Sequence, residues 1–416
     1  MRRFCLSSLS AVLCLVPTLQ GCIDPIPAEG GDVVGGDAVP APTLAEIAGL
    51  LAELPLEYEH LKEVHDAVSS SSENGYDEEY TMYDLFAAPG SGVGDPRLPS
   101  KSPGKYENPV SDLIRSHLEA KSATRSVPGQ PALSSGIGAD DYVEALASSD
   151  IQIYWPFSET WDGTDALPVI TFDPENDASV NTGYRMTRLD DGSVKIDTVA
   201  VDEKMAMEHP VWVVNRNSDS GYLSLDMVRQ LYPDRLEGGN VVVGPSTETR
   251  TPAGGAPGMK TLVLKDFIMN RNYDSWFAGA SEFFVKCGSV ENFTASTEAE
   301  LQLYSPAITD FIIVVKRNQV GKAQPFNAVL VSDLTDQVEN LAFMIIEDDG
   351  GKRTSWKCTA LVRIASKSYG VEIELPFNTR DDIVWRGSLS SRYLAAHSNI
   401  PENFGDVVIT FEMEEY

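Results

Sequence analysis

The sequence predicts an α+β fold with short N-terminal helices, a mixed, mostly-β middle domain and a C-terminal antiparallel β-sandwich. Apolar residues recur at helical spacing up to about residue 147, and the period changes to strand-like alternation from Ile151. After residue 258 the chain is almost entirely short strands separated by turn residues. We therefore divide the chain into residues 1–21, 22–42, 43–148, 149–258 and 259–416.

The first segment carries a charged start, an apolar run and a cysteine. Arg2 and Arg3 precede the apolar run from Phe4 to Val16, which is too short to cross a bilayer, and Leu19-Gln20-Gly21-Cys22 follows. This arrangement resembles a bacterial lipoprotein signal, which implies that residues 1–21 are removed and that Cys22 is lipidated. Two or more acyl chains anchor a protein stably. An ordinary secretory signal with an incidental cysteine is the alternative.

The next two regions predict a tether and a set of short helices. Residues 22–42 are rich in Pro, Gly and Ala, which is typical of a flexible tether. Thr43 and Glu46 have capping-box spacing at the start of a first helix. A second helix is expected to end at the serine run Ser69–Ser72. Two more helices are predicted over 109–121 and 140–147, so the region 43–148 is helical and loop-rich.

The remaining regions are predicted to be mostly strands. In the middle domain, strands are predicted over residues 151–155, 168–172, 193–199 and 210–215, with a helix over 224–232. Residues 244–258 are a Gly- and Pro-rich segment at which we place a domain boundary. Nine strands are then predicted for the C-terminal sandwich, over residues 259–266, 281–287, 300–304, 308–316, 326–332, 341–347, 356–364, 370–376 and 406–412.

The charge of the chain limits its partners. The formal net charge is −30, and loss of Arg2 and Arg3 with the signal leaves −32. Such a field repels nucleic acid and favours cations, so we expect no nucleic-acid partner. No later run approaches 18 apolar residues, so the N-terminal lipid is the expected membrane attachment. An envelope protein or a glycan remains open as a partner.

Signatures of catalysis are absent from the sequence. There is no Gly-x-Ser-x-Gly motif, and His60 and His65 are five residues apart, whereas zinc ligation on a helix needs four. These absences favour a non-enzymatic protein, with a hydrolase that uses unrecognised carboxylates as an alternative. Cys287 and Cys358 are either a disulfide or two free thiols, a choice that the sequence leaves open.

Three tryptophans raise a second alternative. Trp155, Trp161 and Trp276 lie on or near predicted loops, where exposed aromatic rings can stack on sugars. Tryptophans in β-rich domains are more often part of the core. A carbohydrate- or surface-ligand-binding lipoprotein is therefore the first alternative function.

Two motifs in the C-terminal region carry the chemistry that the sequence offers. The run Gly279-Ala280-Ser281-Glu282-Phe283-Phe284-Val285-Lys286 follows a strand and a polar loop. About seventy residues later, an apolar strand ends in Glu347-Asp348-Asp349. These motifs resemble the calcium- and phospholipid-binding C-two domains of the protein-kinase-C type, whose corresponding run is Gly-x-Ser-Asp-Pro-Tyr-Val-Lys. The resemblance covers about a third of the chain.

That resemblance implies a calcium site. Glu282, Glu347 and Asp349 match ligand positions of the family, and Asp274 is the nearest candidate in the first loop. Calcium takes six to eight oxygen ligands, which carboxylates on two loops at one end of a sandwich can supply. Glu stands for Asp in two positions, Phe283 replaces the proline, and the loop spacing differs near Asp274. A sandwich with solvated acidic turns is the alternative.

Two further segments resemble uncharacterised lipoproteins of the Bacteroidetes type. They are Tyr154-Trp155-Pro156-Phe157-Ser158-Glu159 with the following Trp161-Asp162-Gly163, and Pro210–Asn215. The resemblance implies a location in the bacterial cell envelope and no specific activity. Ile23 follows the cysteine, which favours delivery to the outer membrane and leaves the periplasmic or surface side open. The sequence thus predicts a lipid-anchored envelope protein with a binding or structural role and a calcium site in its C-terminal sandwich.

Overall fold

Helices and strands alternate in the first half of the chain, and strands dominate the second half. The computed structural model describes residues 42–86, 100–102, 109–124, 138–176, 178–190, 194–217, 224–231, 259–349 and 352–415. The α+β, mostly-β class is confirmed. The signal segment, the tether up to residue 41 and the boundary segment 244–258 lie outside these residues.

The helices and strands of the first half have the following bounds. The helices are α1 (Leu44–Ala52), α2 (Tyr58–Glu73), α3 (Met82–Phe86), α4 (Val110–Thr124), α5 (Ala139–Ala147), α6 (Glu203–Glu208) and α7 (Leu225–Leu231). The strands are β1 (Glu79–Thr81), β2 (Ile151–Tyr154), β3 (Val169–Phe172), β4 (Val180–Arg188), β5 (Val194–Asp202) and β6 (Val211–Arg216).

The second half consists of ten strands and one helix among the described residues. The strands are β7 (Lys260–Met269), β8 (Ser281–Ser289), β9 (Ala307–Val315), β10 (Gln324–Leu334), β11 (Val338–Glu347), β12 (Arg353–Ile364), β13 (Lys367–Asn378), β14 (Asp382–Ser390), β15 (Pro401–Phe404) and β16 (Val407–Glu415). The helix is α8 (Ser391–Ala396).

The first six strands form a mixed sheet in the order β1-β2-β6-β3-β4-β5, in which only β3 and β6 are parallel. Side chains of β6 alternate between its two faces, so Trp212 and Val214 pack with the N-terminal helices, whereas Val211 and Val213 face the opposite side. The helices therefore share one hydrophobic core with the middle sheet.

The C-terminal strands form two antiparallel sheets that enclose a hydrophobic core. One sheet has the order β10-β7-β16-β15, and the other contains β9, β8 and β11, with β14 on the far side of β11. Leu264 and Phe267 of the first sheet and Phe283 and Phe343 of the second belong to the same core. Two sheets packed face to face in this way make a β-sandwich.

The hairpin of β12 and β13 covers the outer face of the second sheet. β12 pairs with β11 only near Val338 and Asn340, because β14 occupies the rest of that edge. Ile373 and Leu375 of the hairpin pack with Met344 of β11 in a separate apolar cluster. Both faces of β8 and β11 are therefore buried.

The loop between β7 and β8, residues 270–280, joins the sandwich to the middle sheet. Trp276 and Phe277 pack with Val213 on the face of the middle sheet away from the helices. Asn215 donates from Nδ2 to the carbonyl oxygen of Phe277 at 3.1 Å. This loop thus connects two strands of the sandwich, while its side chains pack against the middle sheet.

Two predictions of local structure are wrong. Helix α2 continues through the serine run to Glu73, because Val64, Val68 and Ser71 remain on its buried face. Residues 298–303 form a 3₁₀ helix in place of the predicted strand. The side chain of Glu300 accepts hydrogen bonds from Ser296 N at 2.7 Å and Thr297 Oγ1 at 3.0 Å, which closes this turn.

Candidate metal centre

Three carboxylates meet at one end of the sandwich and could hold a metal ion. Asp274, Glu347 and Asp349 each offer an oxygen, and these oxygens all lie within 4.8 Å of one another. We call this group the sandwich-end cluster. It unites three of the four residues that the sequence predicts as ligands, from two segments more than seventy residues apart.

Strand β11 places Glu347 by simple alternation. Phe343 and Ile345 point into the sandwich core, and Glu347 is the next residue with the same orientation. It lies opposite Phe283 of β8 in the antiparallel ladder. The last inward position of the strand therefore carries a carboxylate, and only 1% of the residue is exposed.

The loop 270–280 places Asp274. Tyr273 donates its backbone N–H to Ser281 Oγ at 3.0 Å, and its ring packs edge-on against Phe283 with centroids 5.5 Å apart. Arg317 donates from a terminal nitrogen to the carbonyl oxygen of Asp274 at 3.2 Å. These contacts fix the backbone on both sides of the carboxylate.

Asp349 lies just beyond the end of β11 and is exposed. Its backbone N–H donates to Asp381 Oδ1 at 3.3 Å, and Asp381 Oδ2 accepts from Asn378 N at 2.6 Å. The turn between β13 and β14 therefore holds this segment in place. The cluster is open to solvent on the side of Asp349 and closed on the side of Glu347.

The carboxyls of the buried Glu347 and the half-buried Asp274 are joined by a hydrogen bond. Burial, a hydrogen bond with Asp274 and the nearby charges of Asp274, Asp349 and Glu282 raise the pKa of Glu347 far above its usual range. Burial also raises the pKa of Asp274, although the hydrogen bond from Glu347 and the charge of Arg317 act in the opposite direction. Near neutral pH, Glu347 therefore holds a proton that it donates to Asp274.

One oxygen of the cluster is left without a partner. Glu347 Oε1 is buried and accepts no hydrogen bond from the residues that the structure describes. Buried polar atoms are nearly always paired, so such an atom needs an explanation, and an unseen cation is one of them. Three carboxylates supply only oxygen ligands, which suit hard cations such as calcium, magnesium and manganese better than zinc.

Glu282, the fourth predicted ligand, is not among the three clustered residues. It lies on β8, and its backbone carbonyl accepts a hydrogen bond from Asp348 N at 2.9 Å. Its charge contributes to the raised pKa of Glu347, so the two side chains interact electrostatically. A direct role for Glu282 as a ligand stays a prediction.

Sequence reasoning missed a second group of acids, which we call the β1 cluster: the buried Asp77 and Glu78 and the exposed Glu159. Ser158 Oγ donates to Glu78 Oε1 at 2.9 Å, and Asn318 donates to Glu159. Burial and a hydrogen bond with Glu159 raise the pKa of Glu78, so these two carboxyls also share a proton. Their segments are about eighty residues apart, and no motif in the sequence links Glu159 to Asp77 and Glu78.

Asp77 ties the β1 cluster to the loop 270–280. Its Oδ1 accepts from Glu78 N at 2.7 Å, and its Oδ2 accepts from Ala280 N at 2.8 Å. The neighbouring Gly279 has a φ of 130°, and a Cβ there would lie 2.8 Å from Asp77 Oδ2. Glycine is required at this position for both reasons.

The structure shows the surroundings of the three tryptophans and the state of the two cysteines that the sequence analysis singled out. Trp155 and Trp276 belong to hydrophobic cores, whereas Trp161 is half-buried. Cys287 and Cys358 are free thiols, the first in the sandwich core and the second beside the β12–β13 cluster. Burial raises the pKa of both thiols, which makes them poor nucleophiles.

Protein-family models, curated proteins and solved structures contain no significant match to this chain. The resemblance to C-two domains and to Bacteroidetes lipoproteins therefore stays a prediction. Among the described residues, no helix combines the length and the apolar character needed to cross a bilayer.

Proposed function

We propose that this chain is a lipid-anchored envelope protein that binds calcium through Asp274, Glu347 and Asp349, in a binding or structural role. The convergence of these three carboxylates at the end of the sandwich carries the proposal. The unpaired buried oxygen of Glu347 supports it, because a cation would satisfy that atom.

Calcium fits the cluster better than the other hard cations. Three carboxylates offer at most six oxygens, and calcium accepts six to eight ligands in flexible geometry. Magnesium demands a nearly ideal octahedron and retains most of its water, whereas Glu347 sits in a site closed to water on one side. The exposed side of Asp349 leaves room for the water molecules that would complete the calcium shell.

The anchored location rests on the N-terminal segment. Arg2, Arg3, the apolar run and Cys22 support a cleaved and lipidated signal. Metabolic labelling with a tagged fatty acid tests this directly. The natural chain should be labelled and Cys22→Ala should not, and equal labelling of both would refute lipidation at Cys22.

Thermal unfolding of the full chain tests the calcium site. Millimolar calcium should raise the unfolding temperature by a few degrees relative to EDTA, because a ligand at about 100 times its dissociation constant stabilises the folded state by about 2.7 kcal/mol. Glu347→Gln and Asp349→Asn should lose this shift. Magnesium at the same concentration should give a smaller one.

The matched control is Glu372→Gln on β13, which removes an exposed carboxylate that pairs with Lys357 and is not one of the three clustered residues. It should keep the whole calcium-dependent shift. The proposal fails if calcium leaves the natural chain unchanged, or if Glu347→Gln and Asp349→Asn respond as strongly as the natural chain.

A further inference from the structure

A cavity of about 280 Å³ lies between the loop after β2 and the end of helix α6. One wall comes from seven residues between Trp155 and Ala166, and the other comes from residues 206–210. The cavity shares no residue with the sandwich-end cluster. It is large enough for one small organic ligand.

Aromatic residues form much of the first wall. Trp155, Phe157 and Trp161 line it, and Trp161 is held by ring contacts with His65 at 4.8 Å and Trp155 at 5.6 Å. Trp161 Nε1 is buried, so the exposed part of this half-buried indole is ring carbon. Its contribution to the cavity is an apolar, rigid ring surface.

Phe157 reaches the cavity through an unfavourable backbone conformation. Its φ is 60° and its ψ is 29°, in the left-handed region that bulky residues rarely adopt. Such strain costs about 1–3 kcal/mol and is concentrated at functional sites. This strained residue places the Phe157 ring in the wall beside Trp161, whereas Trp155 is 1% exposed and lies mostly in the core behind them.

Among the described residues that line the cavity, the carboxylates are Asp162 and Glu208, and His209 is the one histidine. Asp162 and Glu208 lie on its rim, and no lysine or arginine is among the residues that line it. Within the described residues, the only ion pair of either carboxylate joins Glu208 to Lys204 at 3.8 Å, between two exposed side chains. The chain as a whole adds a net charge of −30. The cavity therefore has a field that attracts cations.

We infer that this cavity binds a methylated ammonium group, a role that goes beyond the proposed calcium site. Rings of Trp and Phe attract such cations through their π faces, and aromatic cages with acidic neighbours recognise quaternary ammonium ligands. Met207 and Pro210 on the opposite wall provide apolar contact for the methyl groups. A primary ammonium would lose its hydration there without gaining enough acceptors.

Calorimetric titration of the full-length protein with choline and with its uncharged isostere 3,3-dimethylbutan-1-ol tests the inference. The two probes have the same shape, so only the cation gains the ring and carboxylate attraction. Choline should bind about ten-fold more tightly than the isostere, and added salt should weaken choline alone. Ethanolamine should bind more weakly than choline.

Substitutions of the carboxylates that line the cavity test whether choline binds there. Asp162→Asn and Glu208→Gln replace exposed carboxylates, so they should fold normally and should each weaken choline by about three-fold or more. Asp165→Asn, on the same loop but outside the lining, is the matched control and should bind as the natural chain does. Equal affinity for choline and the isostere, binding of glucose without choline, or full affinity in both rim variants would overturn the inference.

Discussion

The sandwich-end cluster and the β1 cluster are both groups of three acids in a strongly acidic chain, yet their hydrogen bonding differs. Asp77 and Glu78 accept from backbone and hydroxyl donors at 2.7–2.9 Å. In the sandwich-end cluster, Glu347 has a buried oxygen that accepts no hydrogen bond from the described part of the chain. The difference teaches that buried carboxylates support the fold where donors surround them and are available to a cation where donors are missing.

The β1 cluster should respond most strongly to mutation. Asp77→Ala leaves the N–H groups of Glu78 and Ala280 without their acceptor, at a cost of about 1–3 kcal/mol for each group. We expect urea denaturation to show a loss of about 2–6 kcal/mol, equal in calcium and in EDTA. Asp66→Ala, at an exposed acid of α2, should change stability by less than about 0.5 kcal/mol.

If the stability lost in Asp77→Ala differed between calcium and EDTA, the two clusters would act as one site and the contrast between them would be wrong. A loss below about 1 kcal/mol would show that the hydrogen bonds of Asp77 contribute little to the fold.

Glu63 extends the comparison to a single buried acid. It is 1% exposed and accepts from Val110 N at 2.8 Å and from Tyr80 at 3.2 Å. Burial raises its pKa to about 7. The folded state therefore binds this proton more tightly than the unfolded state, so the contribution to stability is present below pH 4.5 and is lost as the pH rises to about 7.

Glu63→Gln should remove this dependence. The amide can accept from Val110 and donate to Tyr80 without a proton, so the variant should be more stable than the natural chain above pH 7 by up to about 3 kcal/mol. Urea denaturation between pH 4.5 and pH 8 measures the difference. A variant that is less stable at every pH would contradict the assigned burial cost.

Substitution of an exposed acid should have the smallest effect on the free energy of unfolding. Glu372 lies 3.5 Å from Lys357, and both side chains are largely exposed. Glu372→Gln should change the free energy of unfolding by less than about 0.5 kcal/mol, because solvent screens such pairs. A larger change would mean that exposed charges contribute as much to stability as buried ones, so burial would not explain why the two clusters differ.

The sequence predicts most of the sandwich and little of the junction. Strands such as β8 and β11 are long apolar runs between turns, which is a local signal. The outward and inward alternation of β11 even indicates that Glu347 follows Phe343 and Ile345 on the inner face. The expected convergence with Asp274 rested on the resemblance of two motifs to C-two domains, and the structure brings the two residues together.

The β1 cluster could not be found in this way. Ser158 and Glu78 are 80 residues apart, and Asp77 and Ala280 are 203 residues apart. Their contacts depend on how the loop 270–280 packs against the middle sheet, which no local period encodes. The strand β4 was also missed, because its buried residues are only Gly183 and Met186, with polar or exposed residues around them.

Calorimetric titration of the metal-free protein with calcium at pH 7, in two buffers with different ionisation enthalpies, tests the central claim most directly. Calcium should displace the proton that Glu347 donates to Asp274, so the heats should differ between buffers by the amount expected for release of about one proton per calcium. Glu347→Gln should abolish this release. Equal heats in both buffers, or no calcium heat at all, would contradict the account.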